Sequence, residues 1–195
     1  MYFKQEPMVY IRPEGCEKIF KIPKSATKRI GTLNNIIDCQ GVPDEVIPLS
    51  FSFLPPRCDA NFKKIKNESE EKDEIEKMEE GKLNKIYQQH KKDKERILEL
   101  FVEYYHNHPE QKISKDLDYN IDKNNDFKKK YEITEWDKKF FSKLDGATRT
   151  KLMFVANYLD YKHLLNSCGK YFASLIKEKS PQEIREILGI ANKFY

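Results

Sequence analysis

A mixed α/β (α+β) domain, with a small sheet laid against several helices, is the architecture this sequence predicts. Three observations carry that prediction. Residues 8–22 alternate Val9 and Ile11 with other side chains, then bring Ile19, Phe20 and Ile22, with Pro13-Glu14-Gly15 between them as a turn. This is a β-hairpin pattern. Residues 95–109 set Ile97, Leu98, Phe101, Val102 and Tyr105 on one helical face. Residues 144–195 hold three helical patterns in succession, each with a single apolar stripe. Short helices of that kind are marginal alone and must pack on one another and on the N-terminal part.

In chain order, Ser25 is placed to cap a helix over residues 26–38, whose Ile30, Leu33, Ile36 and Ile37 face one way. Gly31 is expected to weaken that helix by roughly 1 kcal/mol relative to Ala. Glu45-Val46-Ile47-Pro48-Leu49 reads as a short strand, and its proline argues for an edge position or a strand end. Residues 55–94 open on Pro55-Pro56 and continue mostly in Lys and Glu. There Ile65, Ile75, Met78, Leu83 and Ile86 are too sparse for a continuous stripe. This stretch reads as an insertion, either partly disordered or a solvated, projecting helix.

Pro109 closes the helix begun at residue 95, and residues 110–130, rich in Lys, Asp and Asn, read as a flexible linker. Thr134 caps a short helix carrying Trp136, Phe140 and Phe141. Asp145 then caps a helix with Leu152, Val155, Ala156 and Leu159 on one face. Asp160 is placed to cap the next, with Leu164, Leu165, Cys168, Phe172, Leu175 and Ile176. Ser180-Pro181-Gln182-Glu183 is a capping box with proline at the first helical position, ahead of Ile184, Ile187 and Leu188. The chain thus divides into residues 1–54 and 95–160 as one core, 55–94 as an insertion within it, and 161–195 as a helical extension.

Composition narrows the function. Charged residues make up 35% of the chain, with 36 basic and 32 acidic side chains interleaved, so the Lys runs read as solvated surface rather than a nucleic-acid face. Cys16, Cys39, Cys58 and Cys168 lack metal-ligand spacing. The opening MYFKQEP has no apolar run of a signal peptide, so the expectation is reduced thiols in cytoplasm or nucleus, away from membranes. His106 and His108 read as a helix-end pair in water, and no phosphate-cradling glycine loop or nucleophile motif is present. No cofactor and no catalysis are expected. Cys168, on an apolar stripe, reads as core.

Asn157 and Tyr158 fall off the inner face of their helix. A tyrosine beside an asparagine is equally a helix-end packing pair or an interface anchor.

Val155-Ala156-Asn157-Tyr158-Leu159-Asp160, followed by Ser180-Pro181-Gln182-Glu183-Ile184-Arg185, resembles the C-terminal half of the Skp family, the adaptors of SCF (Skp–cullin–F-box) ubiquitin ligases. The second motif separates the chain from elongin C. Thr134-Glu135-Trp136-Asp137 and the opening hairpin are similar to the family as well. The resemblance implies a BTB/POZ-like core with a C-terminal helical extension. It implies a non-catalytic adaptor that meets a cullin N-terminal domain through Asn157 and Tyr158. It also implies F-box proteins held by Phe172, Leu175, Ile176, Ile184, Leu188 and Ile190. Pro181 matches a proline that is modified in some family members, and a homodimer is left open. Family members continue past the position of Tyr195 with acidic helices, which leads to an expectation of weaker or narrower F-box recruitment. The rival reading is a divergent BTB/POZ structural, self-associating or kinetochore module without cullin binding.

Overall fold

Alternation in residues 8–13 becomes the central strand of the sheet. In a computed structural model of the protein, which describes residues 6–41, 43, 45–53, 74–108 and 133–188, strand β1 spans Met8–Pro13 and buries Val9 and Ile11. It pairs antiparallel with β2, Phe20–Pro23, placing Val9 opposite Ile22 and Ile11 opposite Phe20. It pairs parallel with β3, Ile47–Leu49, so the order is β2-β1-β3 and Pro48 sits on an edge strand as its chemistry requires. Gly15 turns the hairpin at φ 78°, a left-handed backbone that suits glycine. Ile19 departs from expectation. It lies in the connection ahead of β2 and stays 45% exposed.

The parallel β1–β3 pair needs a crossover, and this is where the single helix expected over residues 26–38 becomes two. Helix α1 is one turn, Lys24–Thr27, and α2 runs Gly31–Gln40. Ile30, between them, is extended (φ −112°, ψ 94°) and fully buried. Sending that side chain into the core breaks the helix, so Ser25 caps nothing. Its N–H instead donates to Glu6 Oε1 at 2.7 Å.

Helix α3, Glu74–His106, is continuous across the boundary drawn at residue 94. Its first half carries exposed side chains such as Ile86. From His90 onward it turns inward, and Ile97, Leu98, Leu100, Phe101, Tyr104 and Tyr105 are all buried. It lies against β1, β2 and a later helix, α5, which makes it the spine of the core. Lys94 donates to Glu14 O at 3.2 Å and Lys18 pairs with Glu99, so the hairpin is pinned to the same helix. The insertion residues 55–73, the linker at 110–130, Pro109 and Ile190 lie outside the described residues.

Four further helices follow: α4 Glu135–Ser142, α5 Gly146–Tyr158, α6 Lys162–Ile176 and α7 Pro181–Leu188. Thr134 and Asp137 form a reciprocal capping box, and Asp145 Oδ1 accepts from Thr148 N at 2.8 Å. Ser180 and Glu183 cap α7 reciprocally, as the sequence predicts. Asp160 does not cap α6. It adopts φ 51°, and the N-cap position falls to Tyr161 without a side-chain hydrogen bond. Leu152, Val155, Ala156 and Leu159 are all fully buried, and Cys168 is core as expected. The mixed α/β class thus holds, and three strands with seven helices among the described residues are consistent with a BTB/POZ-like fold.

Candidate protein-docking site

Two surfaces and one buried polar cluster carry the chemistry of this chain. The first surface lies on α5. Its inner positions claim the core, which leaves Phe154 (47% exposed), Asn157 (exposed) and Tyr158 (half-buried) at i, i+3 and i+4 on its outer flank. Tyr158 is held rather than free. Its ring packs on Phe51 at 5.5 Å, and its hydroxyl accepts from Ser50 N at 3.0 Å. The packing and anchor readings are therefore compatible, with one edge in the fold and the other at the surface beside Asn157. Phe154 was invisible in the sequence because it belongs to no stripe. It meets Phe53 edge-on at 5.9 Å, and Phe53 in turn meets Phe51 and His90, so the flank is an aromatic ledge.

The second surface is built by α6 and α7. Phe172 turns inward and is buried, whereas Leu175, Ile176, Ile184 and Leu188 are half-buried. Helix α7 buries no residue fully and rests on α5 and α6, with Thr150 Oγ1 donating to Leu188 O at 2.8 Å. Pro181 is exposed at the first position of α7. The apolar groups Leu175, Ile176, Ile184 and Leu188 stay half-buried, so part of their surface is left for a partner.

A buried polar cluster on α3, α4 and α6 escapes the sequence. His108 is buried, not in water. Its Nδ1 lies 2.8 Å from Tyr104 O, its ring stacks on Tyr104 at 4.3 Å, and Nε2 is 3.2 Å from Asp137 Oδ1, an ionic contact outside hydrogen-bond alignment. Tyr104 donates to Ser167 Oγ at 2.8 Å and lies 3.0 Å from His163 Nδ1. Arg29 closes the cluster by donating to His108 O and Tyr105 Oη. Helices α3, α4 and α6 are thus tied through polar groups. The signal for this was present in the sequence only as isolated residues far apart in the chain.

The titrations in the cluster oppose one another. Burial opposes a charged His108, but the close contact and charge of Asp137, with the Tyr104 carbonyl, outweigh it and raise its pKa. Burial also opposes a charged Asp137, yet contacts from His108, Thr134 and Tyr104 hold its pKa down at about 2. The two directions agree on an ionised pair. His163 goes the other way, lowered to about 4 by burial first and by the neighbouring His108 charge second.

For His163 the folded state binds fewer protons than the unfolded one between about pH 4 and 6.5, so stability falls as pH drops through that window. For His108 the raised pKa gives stability that is complete below 6.5 and is lost as pH rises through the folded value. Urea unfolding across pH 4–9 should therefore show a stability maximum near about pH 6.5, with a decline on both sides. A curve that rises steadily from pH 6 to 9 would mean that His108 is not the cation in this pair.

Among the described residues no group of three or more His, Cys, Asp or Glu could hold a metal ion, and no helix is long and apolar enough to cross a membrane. The two surfaces offer aromatic, amide and apolar groups.

Comparison with known proteins bears on what is recognised. Residues 162–195, which include α6 and α7, match the model of the Skp1 family, dimerisation domain. SKP1-like protein 18 of Arabidopsis thaliana is 38% identical over 98 residues, which is 50% of this chain and 57% of that protein. The E3 ubiquitin ligase complex SCF subunit sconC of Talaromyces marneffei is 46% identical over 63 residues, 32% of this chain and 39% of its own length. Suppressor of kinetochore protein 1 of Schizosaccharomyces pombe is 40% identical over 67 residues, 34% and 41% respectively. The chain spans about half the length or less of the curated relatives it matches. Residues 162–195 are thus similar to the Skp1-family dimerisation domain, and about half of the chain is similar to Skp1-like proteins.

Proposed function

We propose that this protein is a non-catalytic adaptor of an SCF-type ubiquitin ligase, joining a cullin to an F-box substrate receptor. In this reading the α5 flank around Asn157 and Tyr158 meets the cullin N-terminal domain, and the α6–α7 face takes the F-box. Relatives named as SCF subunits support it, and so does the match of residues 162–195 to a Skp1-family domain. The observation that carries it is the short, buried and hydrogen-bonded link between the two faces. Tyr161, 2% exposed, joins α5 to α6, with its N–H bonded to Ala156 O at 2.9 Å and its carbonyl accepting Leu165 N at 3.2 Å. A bridge works by holding two partners at a fixed spacing, which raises the effective concentration of one at the other. A flexible junction would forfeit that gain.

The two faces should be separable by mutation. With Asn157→Ala and Tyr158→Ala together, cullin recovered by co-purification is expected to fall at least about tenfold while F-box recovery is unchanged. Because Tyr158 also packs on Phe51, Asn157→Asp alone serves as the variant that touches no core contact, and it should lower cullin recovery in the same direction. Unchanged cullin recovery in both variants would refute the assignment of this face.

A further inference from the structure

A cation without an anion stands at the junction of α5, α6 and α7. Arg149, in the first turns of α5, lays its guanidinium over Tyr171 at 5.5 Å and Phe172 at 5.9 Å from the ring centroids. Its Nε is buried and has no hydrogen-bond partner among the described residues. None of the ion pairs among the described residues includes Arg149. Asp145, whose carbonyl accepts from Arg149 N at 3.0 Å, has its carboxylate engaged with Thr148. A guanidinium held by aromatic faces, with a donor left unpaired, is a poor way to stabilise a fold. It is a good way to keep a positive charge fixed and ready for an incoming carboxylate.

The surroundings favour the same ligand. Tyr171 also lines an open groove of about 600 Å³ between α4 and α6, together with Ile133, Glu135, Lys138, Lys139, Ser142 and Ser174, where Glu135 pairs with Lys138 at 2.6 Å. Residues 133–188, through the end of α7, hold ten Lys or Arg against seven Asp or Glu. Two of those seven, Asp137 and Asp145, are spent on His108 and on capping α5. A partner segment that covers this face therefore gains from negative charge placed beside its apolar contacts.

We propose that Arg149 is a specificity-determining residue of the α6–α7 docking face, pairing with an Asp or Glu side chain of the partner helix. The partner's apolar side chains rest on Tyr171 and in the groove. This rests on the reading of that face as the F-box site, and it adds which F-box segments the chain selects: acidic ones.

The test uses the full chain and a recombinant F-box domain that co-purifies with it. Arg149→Met keeps the apolar stack on Tyr171 and removes the charge, so its melting temperature reports whether folding is intact. Binding is measured by titration for the wild-type chain and Arg149→Met, each against the F-box domain and against variants with single Asp→Asn or Glu→Gln changes. Arg149→Met is expected to weaken binding by about tenfold or more, and one carboxylate variant should be insensitive to it. Weakening should shrink as salt is raised. Equal effects of Arg149→Met on every F-box variant, or none on any, would overturn the pairing while leaving the docking face intact. If no F-box domain binds the wild-type chain, the docking reading fails first and the pairing with it. If Arg149→Met instead abolishes self-association seen by light scattering, the carboxylate belongs to a second copy and the proposal is wrong.

Discussion

Replacing Asp137 by Ala is expected to lower the free energy of unfolding by about 3–5 kcal/mol, a range typical of breaking a buried ion pair from one side. Asp137 is 1% exposed and serves two elements at once. Its Oδ2 accepts from Thr134 N at 3.0 Å and from Thr134 Oγ1 at 2.8 Å, which closes the box that starts α4. Its Oδ1 faces His108 Nε2 at the end of α3. Alanine leaves two donors of the cap unpaired and a buried imidazole without its anion. His108 would then shed its proton, which limits the loss. Asp137→Asn keeps an acceptor for Thr134 and should recover part of the difference.

The sign with pH follows from the two shifts. Asp137, held down at about 2, contributes stability that is present above its unfolded value of 3.8 and is lost as pH falls through 2. His108 contributes below 6.5 and fades as pH rises. The deficit of Asp137→Ala should therefore be largest between about pH 4 and 6.5. Chemical denaturation at pH 5.5 and pH 9 reads this directly.

Gly31→Ala should also destabilise, by about 1–3 kcal/mol, although helix propensity alone points the other way. A Cβ at Gly31 would stand 2.1 Å from Asp160 Oδ2 and 2.9 Å from Asp160 Cβ, too close for any real contact. The approach is close because Gly31 N donates to Asp160 O and Thr32 N to Leu159 O, both at 3.2 Å, while Thr32 Oγ1 reaches Tyr158 O at 2.8 Å. The N-terminus of α2 thus holds the turn between α5 and α6. Asp160 is fixed there at φ 51°, a left-handed backbone that Gly adopts at no steric cost. Asp160→Gly removes the clashing atoms, so the double variant should regain most of what Gly31→Ala loses, a coupling that a thermal-melt cycle measures. Equal losses in the two backgrounds would mean that Asp160 is not what Gly31 makes room for.

These two sites mark where sequence reasoning reaches and where it stops. Caps were legible because they are local: Thr134, Asp145 and Ser180 each bond within three residues. The stripes of α5 and α6 were legible because burial follows a 3.6-residue period. Gly31 was read as a weak helix residue because its constraint comes from Asp160, at the far end of α5. His108 was read as solvated because Asp137 and His163 reach it only through tertiary packing. The helix at residues 26–38 was read as one piece because local propensity does not register that Ile30 is needed in the core.

The candidate faces divide in the same way. Asn157 could be assigned to the outside by subtraction from the stripe, whereas the bond from Ser50 N to the Tyr158 hydroxyl joins a loop and a helix that the sequence leaves apart. Phe154 and Arg149 gave no signal at all. An exposed aromatic and an unpaired cation are recognisable only once their neighbours are known.

The central claim is that one chain holds a cullin and an F-box protein at the same time. Multi-angle light scattering on an equimolar mixture of this protein, a cullin N-terminal domain and an F-box domain tests it most directly. A single species with the mass of a one-to-one-to-one complex is expected, formed only when this chain is present. Separate binary complexes that compete, or no complex at tens of micromolar, would contradict it.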